Sequence, residues 1–262
     1  MKTPKICITC GTQYPVNDDQ ELCIICSEER QYIPEEGQQW ITPEALASNH
    51  KNEIIQLNDR LFEIVTRPQF AIGQRALLVL SENGNILWDC ISLLANDTLS
   101  FISKKGGLKA IAISHPHYYT SMNEWATTFN CPVYLHQHDE QWIVDEGEKI
   151  VLWQGDEKLL WDDIRIINIG GHFAGSCVLL IPSMSEKGTI LCGDTMYLSP
   201  SKKHFAVMYS YPNRMPLPIS EIKRIKERFE ALQFDSIYGF YSYQNLTENV
   251  KDIVRTSFER YY

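Results

Sequence analysis

The stretch AISHPHYYTSM, residues 112–122, places two histidines one residue apart at the end of an apolar run. Side chains two residues apart on an extended backbone point the same way, so His115 and His117 can reach one metal ion at about 2.0–2.1 Å. Pro116 stiffens the link between them, because its ring fixes φ. One isolated histidine is weak evidence for a metal site. The pair raises the question of which further ligands the chain supplies, and for how many ions.

Two later apolar runs also end at a side chain that can bind a metal. IRIINIGG leads to His172, and TILCG leads to Asp194. The glycines let the backbone turn sharply and approach a bound group closely. Open α/β sheets place their ligands at the carboxyl ends of strands. We therefore predict that these two side chains lie beside the histidine pair.

Strand and helix signals alternate along most of the chain. Asn83-Gly84 joins two apolar runs as a hairpin, and Gly106-Gly107 ends a helix. Near the C-terminus Ser220 caps a helix, and a last helix is expected over residues 246–260. This alternation predicts a layered α/β fold with mixed sheets.

The order of these motifs resembles that of the metallo-β-lactamase superfamily. The residues that carry the resemblance are His115-Pro116-His117, Gly171-His172, Gly175-Ser176 and Gly193-Asp194-Thr195. They fall within residues 58–240. The resemblance implies an αββα sandwich whose metal ligands follow strand ends, and in that family the first pair belongs to a His-x-His-x-Asp-His motif.

The chain departs from this pattern where the family provides a second metal site. Tyr119 and Thr120 stand where the family has Asp and His, and Phe240 follows Gly239 where the family has a Gly-His ligand. Neither threonine nor phenylalanine offers an imidazole nitrogen. The resemblance therefore implies one ion at the three histidines and no two-metal clamp.

The activity that the resemblance implies is hydrolysis at a single zinc ion. Zinc held by His115, His117 and His172 would lower the pKa of a bound water to about 7. The metal-bound hydroxide would then attack an ester- or thioester-like small molecule. Asp194 would complete the ligand set, or act as the catalytic residue that orients the water or takes its proton.

Two other functions are compatible with the same residues. Persulfide dioxygenases of the superfamily hold one Fe(II) with residues that correspond to His115, His172 and Asp194, a set that leaves positions open for O₂ and substrate. Those relatives keep the Asp-His pair that this chain lacks, so we rank iron below zinc. The lost second-site ligands are also compatible with a non-catalytic, metal-stabilised binding module.

Four cysteines near the start of the chain stand in two Cys-x-x-Cys pairs, Cys7/Cys10 and Cys23/Cys26. Two such knuckles can present four thiolates to a structural zinc ion, whose binding stabilises a segment with little apolar core. We predict a zinc-ribbon module over residues 1–33, which also offers a surface for a protein partner. Its first knuckle resembles that of rubredoxins, so iron is the second choice of metal.

The rest of the chain is expected to form two further parts. Residues 34–57 are polar and are predicted to act as a connector, with Thr42 and Pro43 as a helix-start signal. Residues 58–262 are predicted to form the metallo-β-lactamase-like domain.

Composition and charge exclude several classes of protein. The 262-residue chain is 44% hydrophobic, which is enough for a large core, and its net charge of −9 is unfavourable for binding a phosphate backbone. The sequence shows neither an apolar run of signal-peptide length at its start nor about 18 consecutive apolar residues. We expect a cytoplasmic protein that binds a small-molecule substrate, and neither nucleic acid nor a membrane.

Overall fold

Two β-sheets packed face to face form the centre of the fold. The computed structural model describes residues 3–262. The first sheet has seven strands, side by side in chain order: Lys51–Asn58, Leu61–Arg67, Arg75–Val79, Ile86–Trp88, Ala110–Ala112, Val133–His136 and Ile150–Trp153. The first four strands are antiparallel neighbours, and the last four are parallel neighbours.

The second sheet has six strands. In spatial order they are Glu157–Leu159, Arg165–Asn168, Cys177–Ile181, Thr189–Cys192, Ser236–Tyr238 and Asn245–Leu246. All neighbours are antiparallel except the fourth and fifth strands, which are parallel. A parallel pair requires a long crossover, and this one contains a helix and two short hairpins. The hairpins are Tyr197–Leu198 with Phe205–Ala206, and Met208–Ser210 with Met215–Pro216.

Alternating side chains bury both faces of each sheet. Leu77 and Trp88 of the first sheet lie with Leu179 of the second sheet in the core between the sheets. Leu78 lies one residue along the strand from Leu77, so it faces the opposite way and belongs to the core beneath the helices.

Helices cover the two outer faces. In the described part of the chain the α-helices are α1 Pro43–Asn49, α2 Asn96–Lys104, α3 Met122–Phe129, α4 Ile219–Ala231 and α5 Val250–Phe258. Ile102 of α2 and Trp125 of α3 pack on the first sheet, and Ile225 of α4 and Phe258 of α5 pack on the second. This arrangement is the predicted αββα sandwich. None of the helices within residues 3–262 is long and apolar enough to cross a lipid bilayer.

The glycine signals agree with the structure. Gly84 lies in the turn between two antiparallel strands. The helix α2 ends at Lys104, just before Gly106 and Gly107, whose φ values are +103° and +75°. Both the hairpin and the helix end are therefore confirmed.

The predicted cap at Ser220 is wrong. Helix α4 begins at Ile219, and Pro218 occupies the N-cap position. The Pro218 carbonyl already accepts a hydrogen bond from the Ile222 nitrogen at 3.1 Å, so Ser220 lies inside the first turn. The last helix is shorter than expected, since α5 covers residues 250–258 and continues as a 3₁₀ turn, Glu259–Tyr261.

The segment expected to be a connector contributes strands both to the N-terminal module and to the sandwich. The small sheet of the module contains Lys5–Cys7, Gln13–Tyr14 and Trp40–Ile41. Residues 34–57 therefore contribute the strand Trp40–Ile41 to this small sheet. They also contain most of the strand Lys51–Asn58, which forms one edge of the seven-stranded sheet. That edge strand is largely exposed or half-buried, so it lacks the apolar alternation that marks the later strands. Thr42 caps α1 as predicted, through a 3.2 Å bond from the Ala45 nitrogen. The division into domains itself stays a prediction.

Candidate metal centres

His115 and His117 lie just after the strand Ala110–Ala112 of the first sheet. The Ser114 nitrogen donates to the buried carboxylate of Asp89 at 2.7 Å, and Ser114 Oγ lies 2.9 Å from His115 Nδ1. These bonds fix the orientation of the His115 ring. Its other nitrogen, Nε2, faces the space between the ends of the two sheets.

His172 reaches the same space from the second sheet. It follows the strand Arg165–Asn168 after Gly170 and Gly171, whose φ values of +69° and +86° are readily adopted only by glycine. His172 Nδ1 donates to the Tyr209 carbonyl at 2.8 Å. In the neutral ring Nε2 therefore keeps its lone pair, which faces His115 and His117.

Asp194 follows the strand Thr189–Cys192 through Gly193. A Cβ atom at Gly193 would lie 2.3 Å from Ser114 Oγ and 3.0 Å from two atoms of the His115 ring. Only glycine lets the ends of these strands approach so closely. The absence of a side chain at Gly193 therefore allows the Asp194 carboxylate to lie beside the histidines.

The four side chains, from His115, His117, His172 and Asp194, surround one point, and together we call them the histidine centre. Asp194 Oδ2 lies 3.5 Å from His115 Nε2 and 3.9 Å from His117 Nδ1. The same oxygen lies 3.8 Å from His172 Nε2, which is 3.3 Å from His117 Nδ1. Ligand atoms of a tetrahedral site with bonds of about 2.0–2.1 Å are about 3.3–3.4 Å apart. The cluster therefore has the dimensions of a site for one ion.

The protonation states of these groups also suit a cation. Burial lowers the pKa of His117 to about 4 and that of His172 well below its usual value, so both rings are neutral at pH 7. Burial by itself would raise the pKa of Asp194, but its interactions with the neighbouring imidazoles of His115 and His117 outweigh burial and hold that pKa below its usual value. Neutral imidazoles and an ionised carboxylate are the forms that bind metal.

The inward-facing nitrogens provide a test of whether a metal ion fits. His115 Nε2 is buried and has no hydrogen-bond partner, which costs about 1–3 kcal/mol for a buried polar atom. His117 Nδ1 and His172 Nε2 can share one hydrogen bond at most. One cation at the common point would satisfy all three nitrogens and the carboxylate, so the residues fit a metal.

Packing residues occupy the sequence positions that correspond to second-metal ligands in the metallo-β-lactamase superfamily. Tyr119 is buried, and its hydroxyl donates to a main-chain carbonyl at 3.3 Å. Thr120 has a φ of +33°, and its carbonyl accepts a bond from the Gln13 nitrogen at 3.0 Å. Phe240 packs on Tyr118, with ring centroids 5.5 Å apart. The side chains of Tyr119, Thr120 and Phe240 contribute to packing and lie outside the histidine centre.

A second cluster, the cysteine centre, consists of Cys7, Cys10, Cys23 and Cys26. All four are buried and unoxidised. Cys7 Sγ lies 3.6 Å from Cys26 Sγ, and Cys10 Sγ lies 3.5 Å from Cys23 Sγ. Burial raises the pKa of the Cys10 thiol, whereas a hydrogen bond from Cys10 lowers the pKa of Cys7. Four sulfurs at this spacing match a structural metal site. Across residues 3–262, the groups of three or more His, Cys, Asp or Glu that could hold an ion are this centre and the histidine centre.

Two side chains that donate to the sulfurs support the cysteine centre. The Tyr14 hydroxyl donates to Cys23 Sγ at 3.4 Å, and Gln38 Nε2 donates to Cys7 Sγ at 3.2 Å. Such partners orient metal ligands and tune their charge. Gln38 could not be found from the sequence, because a glutamine in a polar segment carries no signal of its target.

Solvent reaches the histidine centre on the side of Asp194. The Asp194 side chain is 12% exposed, whereas the three histidine side chains are at most 2% exposed. Tyr211 lies on this side, with its ring 5.7 Å from the ring of His172 and its hydroxyl donating to the Asp194 carbonyl at 2.7 Å. Tyr197 and Tyr241 continue the aromatic surface. Tyrosine rings therefore border the histidine centre next to Asp194.

Comparison with known proteins finds one relative by sequence and several solved structures with a similar fold. No protein-family model matches the chain. It is 38% identical over 260 residues to the uncharacterised protein YmaE of Bacillus subtilis (strain 168), and the match covers 98% of this chain and 94% of that protein.

Solved structures with a similar fold are metallo-β-lactamases. DIM-1 matches with a TM-score of 0.59 and 14% identity, over 81% of this chain and 98% of that chain. FIM-1 from Pseudomonas aeruginosa, in its mono-zinc form, matches with a TM-score of 0.57 and 11% identity, over 80% of this chain and 95% of that chain. At these identities the likeness shows the fold alone. The predicted metallo-β-lactamase fold is thereby confirmed.

Proposed function

Because the chain belongs to the family of YmaE and has the metallo-β-lactamase fold, we propose that it is a hydrolase with one zinc ion at the histidine centre. The observation that carries this proposal is the convergence of three imidazole nitrogens and one carboxylate oxygen on one point. Three imidazoles and a carboxylate are ligands that zinc accepts. The cysteine centre would hold a second, structural zinc ion.

Each residue of the histidine centre has a distinct task in this proposal. A zinc ion bound there would supply Lewis acidity, which activates water near neutral pH and polarises a carbonyl oxygen. His115 and His172 would hold it with rings that Ser114 and the Tyr209 carbonyl orient. Asp194 is ionised at neutral pH and is the least buried of the four ligands. Its carboxylate would complete the ligand set, or it would stand beside an open fourth position and orient the attacking water or take its proton.

The single-metal form of the proposal rests on the residues beside the centre. Tyr119, Thr120 and Phe240 stand where the resembling family binds its second ion, and all three are buried in packing contacts. FIM-1, which shares the fold, has a mono-zinc form. One ion is therefore compatible with this fold.

The surroundings of the centre favour a substrate without a carboxylate of its own. The charge of Arg30 affects His117, and that of Arg75 affects the neighbouring Tyr118. Arg30 pairs with Glu28, and Arg75 is buried in an ion pair with Glu63. Neither guanidinium is free to bind an anionic substrate. We therefore propose an ester- or thioester-like small molecule whose apolar part lies on the tyrosine rings.

The iron alternative is less well supported. A two-histidine, one-carboxylate iron site would use His115, His172 and Asp194 and leave His117 outside. In the structure His117 Nδ1 lies 3.3 Å from His172 Nε2. All three histidines therefore face the same point, which favours the zinc site.

The proposal is tested by measuring metal content and hydrolysis together. The chain is purified without a metal-binding tag, and zinc and iron are counted per chain for the native protein and for His115→Ala. We expect two zinc ions in the native chain and one in the variant. Hydrolysis of p-nitrophenyl acetate and of an acetyl thioester should fall more than about 100-fold, beyond the cost of losing an outer partner of a ligand. The exposed His138 provides the matched control, His138→Ala, which should change neither quantity.

Other results would select the alternatives. One metal ion in both the native chain and His115→Ala, with no metal-dependent turnover, would favour the binding module. Iron lost in His115→Ala, together with O₂ consumption on a persulfide, would favour the dioxygenase.

A further inference from the structure

The cysteine centre and the histidine centre share a hydrogen-bonding partner, Gln74. This side chain is buried, and its Nε2 donates to the carbonyl of Cys10 and, at 3.1 Å, to the carbonyl of His117. A side-chain amide has two N–H groups, so each centre receives one of them. One residue therefore links a sulfur ligand to a nitrogen ligand through their main chains.

Further bonds fix the first cysteine knuckle to the segment that carries His117. The Gln13 nitrogen donates to the Thr120 carbonyl at 3.0 Å. Ser92 adds an indirect link, because its hydroxyl donates to the Gly11 carbonyl at 2.7 Å and its carbonyl accepts a bond from Ser121 Oγ at 3.1 Å. Gly11 has a φ of +83°, and a Cβ there would lie 2.6 Å from Ser92 Oγ. The knuckle and the His117 segment are therefore in direct main-chain contact.

The second cysteine knuckle makes the equivalent contact with His172. Arg30 lies shortly after Cys26 in the chain, and its Nε donates to the His172 carbonyl. Its guanidinium carbon lies 4.4 Å from the ring centroid of Phe173 and 4.1 Å from that of Tyr209. The carbonyl of Tyr209 in turn accepts the bond from His172 Nδ1. Arg30 thus holds both the main chain of His172 and the residue that orients its ring.

Each knuckle therefore supports one histidine, and the cysteine centre joins the two knuckles. Its closest sulfur pairs, Cys7 with Cys26 and Cys10 with Cys23, each connect one knuckle to the other. An ion held by all four cysteines would fix the distance between the knuckles. Gln74 and Arg30 would then position His117 Nδ1 and His172 Nε2 relative to each other. These two nitrogens lie 3.3 Å apart, which is the spacing needed to share one ion.

We infer that occupancy of the cysteine centre sets the metal affinity of the histidine centre, with Gln74 and Arg30 as the positioning residues. The inference rests on the proposed metal at the histidine centre and is independent of hydrolysis. Removing outer partners of metal ligands commonly costs about 10–100-fold in metal affinity, so we expect a change of this size. Coupling between two sites is reciprocal. A metal ion at the histidine centre must therefore also increase the metal affinity of the cysteine centre.

The experiment is a cycle of variants with zinc affinity as the readout. Zinc is withdrawn with a chromogenic chelator from the wild type, Cys23→Ser, Gln74→Met and Cys23→Ser/Gln74→Met. Each single change should weaken zinc binding at the histidine centre by about 10–100-fold. The double variant should bind zinc no more weakly than Cys23→Ser alone, because losing the cysteine centre already removes the connection that Gln74 provides. Gln56 is exposed, and its side chain contacts neither centre, so Gln56→Met is the matched control and should have the wild-type affinity.

A second readout avoids variants of the cysteines, which can unfold the module. Arg30→Met keeps every predicted ligand of both centres and should also weaken zinc at the histidine centre. His115→Ala should let the chelator withdraw zinc faster from the cysteine centre, as reciprocity requires. The inference is overturned if Gln74→Met and Arg30→Met bind zinc as the wild type does, or if the effects of Cys23→Ser and Gln74→Met add. A wild-type chain that binds zinc at both centres and hydrolyses no ester would remove the proposed function and leave this inference standing.

Discussion

The cysteine centre and the histidine centre are assembled in opposite ways. The four cysteines lie within residues 7–26, on short strands and turns of a module with a small apolar cluster. The ligands of the histidine centre come from residues 115–194 and follow three strands that belong to two different sheets. The first centre is local in the chain, and the second exists only because the sandwich forms.

This difference predicts different consequences of losing the metal. The apolar cluster around the cysteines includes few buried side chains besides them, chiefly Tyr14 and Ile25. An ion at the cysteine centre must therefore contribute much of the folding free energy of the module. The histidine centre is held by the large cores of the sandwich. Loss of an ion from this centre should therefore leave the sandwich folded.

The largest effect that tests this comparison is expected from Cys23→Ser. Structural zinc contributes on the order of 10 kcal/mol in small zinc-binding peptides, so we expect the module up to about residue 41 to unfold. Limited proteolysis before residue 42 and zinc content would show this. His115→Ala should lose its own metal and leave the module protected. Equal proteolysis of the two variants would break the comparison.

The next effect concerns Asp139, a carboxylate that supports the segment after His172. Its Oδ1 accepts a bond from the Gly175 nitrogen at 2.8 Å, whereas the buried Oδ2 has no partner. Burial raises its pKa to about 7. A carboxyl group whose pKa is higher in the folded chain than in the unfolded chain destabilises the fold as it ionises. Its favourable contribution is present below the ordinary pKa of 3.8 and is lost as the pH rises through about 7.

We therefore expect Asp139→Asn to become more stable relative to the wild type as the pH rises. A pKa of about 7 in the folded chain, against 3.8 in the unfolded chain, corresponds to at most about 4 kcal/mol. Urea unfolding at about pH 5 and about pH 8.5, on either side of that folded-state pKa and with equal metal content in both chains, would measure it. A difference that does not grow with pH would mean that Asp139 finds a compensating partner. The result would sharpen the comparison, because it measures how much Asp139 affects the stability of the segment after His172 when metal content is unchanged.

The smallest effect is expected from Thr42→Ala, which removes the N-cap of α1 between the two regions. The lost bond to the Ala45 nitrogen should cost about 1 kcal/mol of unfolding free energy. Both centres should keep their metal. Thr128, exposed on α3, gives the control Thr128→Ala, which should change stability by less than about 0.5 kcal/mol. Loss of zinc from either centre in Thr42→Ala would show that α1 belongs to the metal-binding unit.

Most of the fold could be predicted, because its signals are local. The hairpin at Gly84 and the helix end at Gly106 were predicted correctly, since the required backbone conformations favour glycine. Ser220 was a wrong cap, because Pro218 two residues earlier already starts the helix. The edge strand Lys51–Asn58 was missed, because an exposed edge needs no apolar alternation.

The contacts between the two centres could not be predicted. Gln74 and Arg30 are ordinary polar residues in the sequence, and nothing in their neighbourhood indicates a target. Their partners, the carbonyls of His117 and His172, lie 43 and 142 residues away along the chain. A main-chain carbonyl is present at every residue, so only the folded chain determines which one a donor meets.

The sequence by itself determined which side chains can bind metal and where each follows a strand or a knuckle. Those properties depend on residue type and on spacing over a few residues. Only the tertiary structure decided that three histidines and Asp194 share one point, and that the cysteine module supports two of those histidines. The reason is physical: ligand geometry requires atoms to lie within a few ångströms of one another. For residues far apart in the chain, only the folded tertiary structure brings the ligand atoms to that distance.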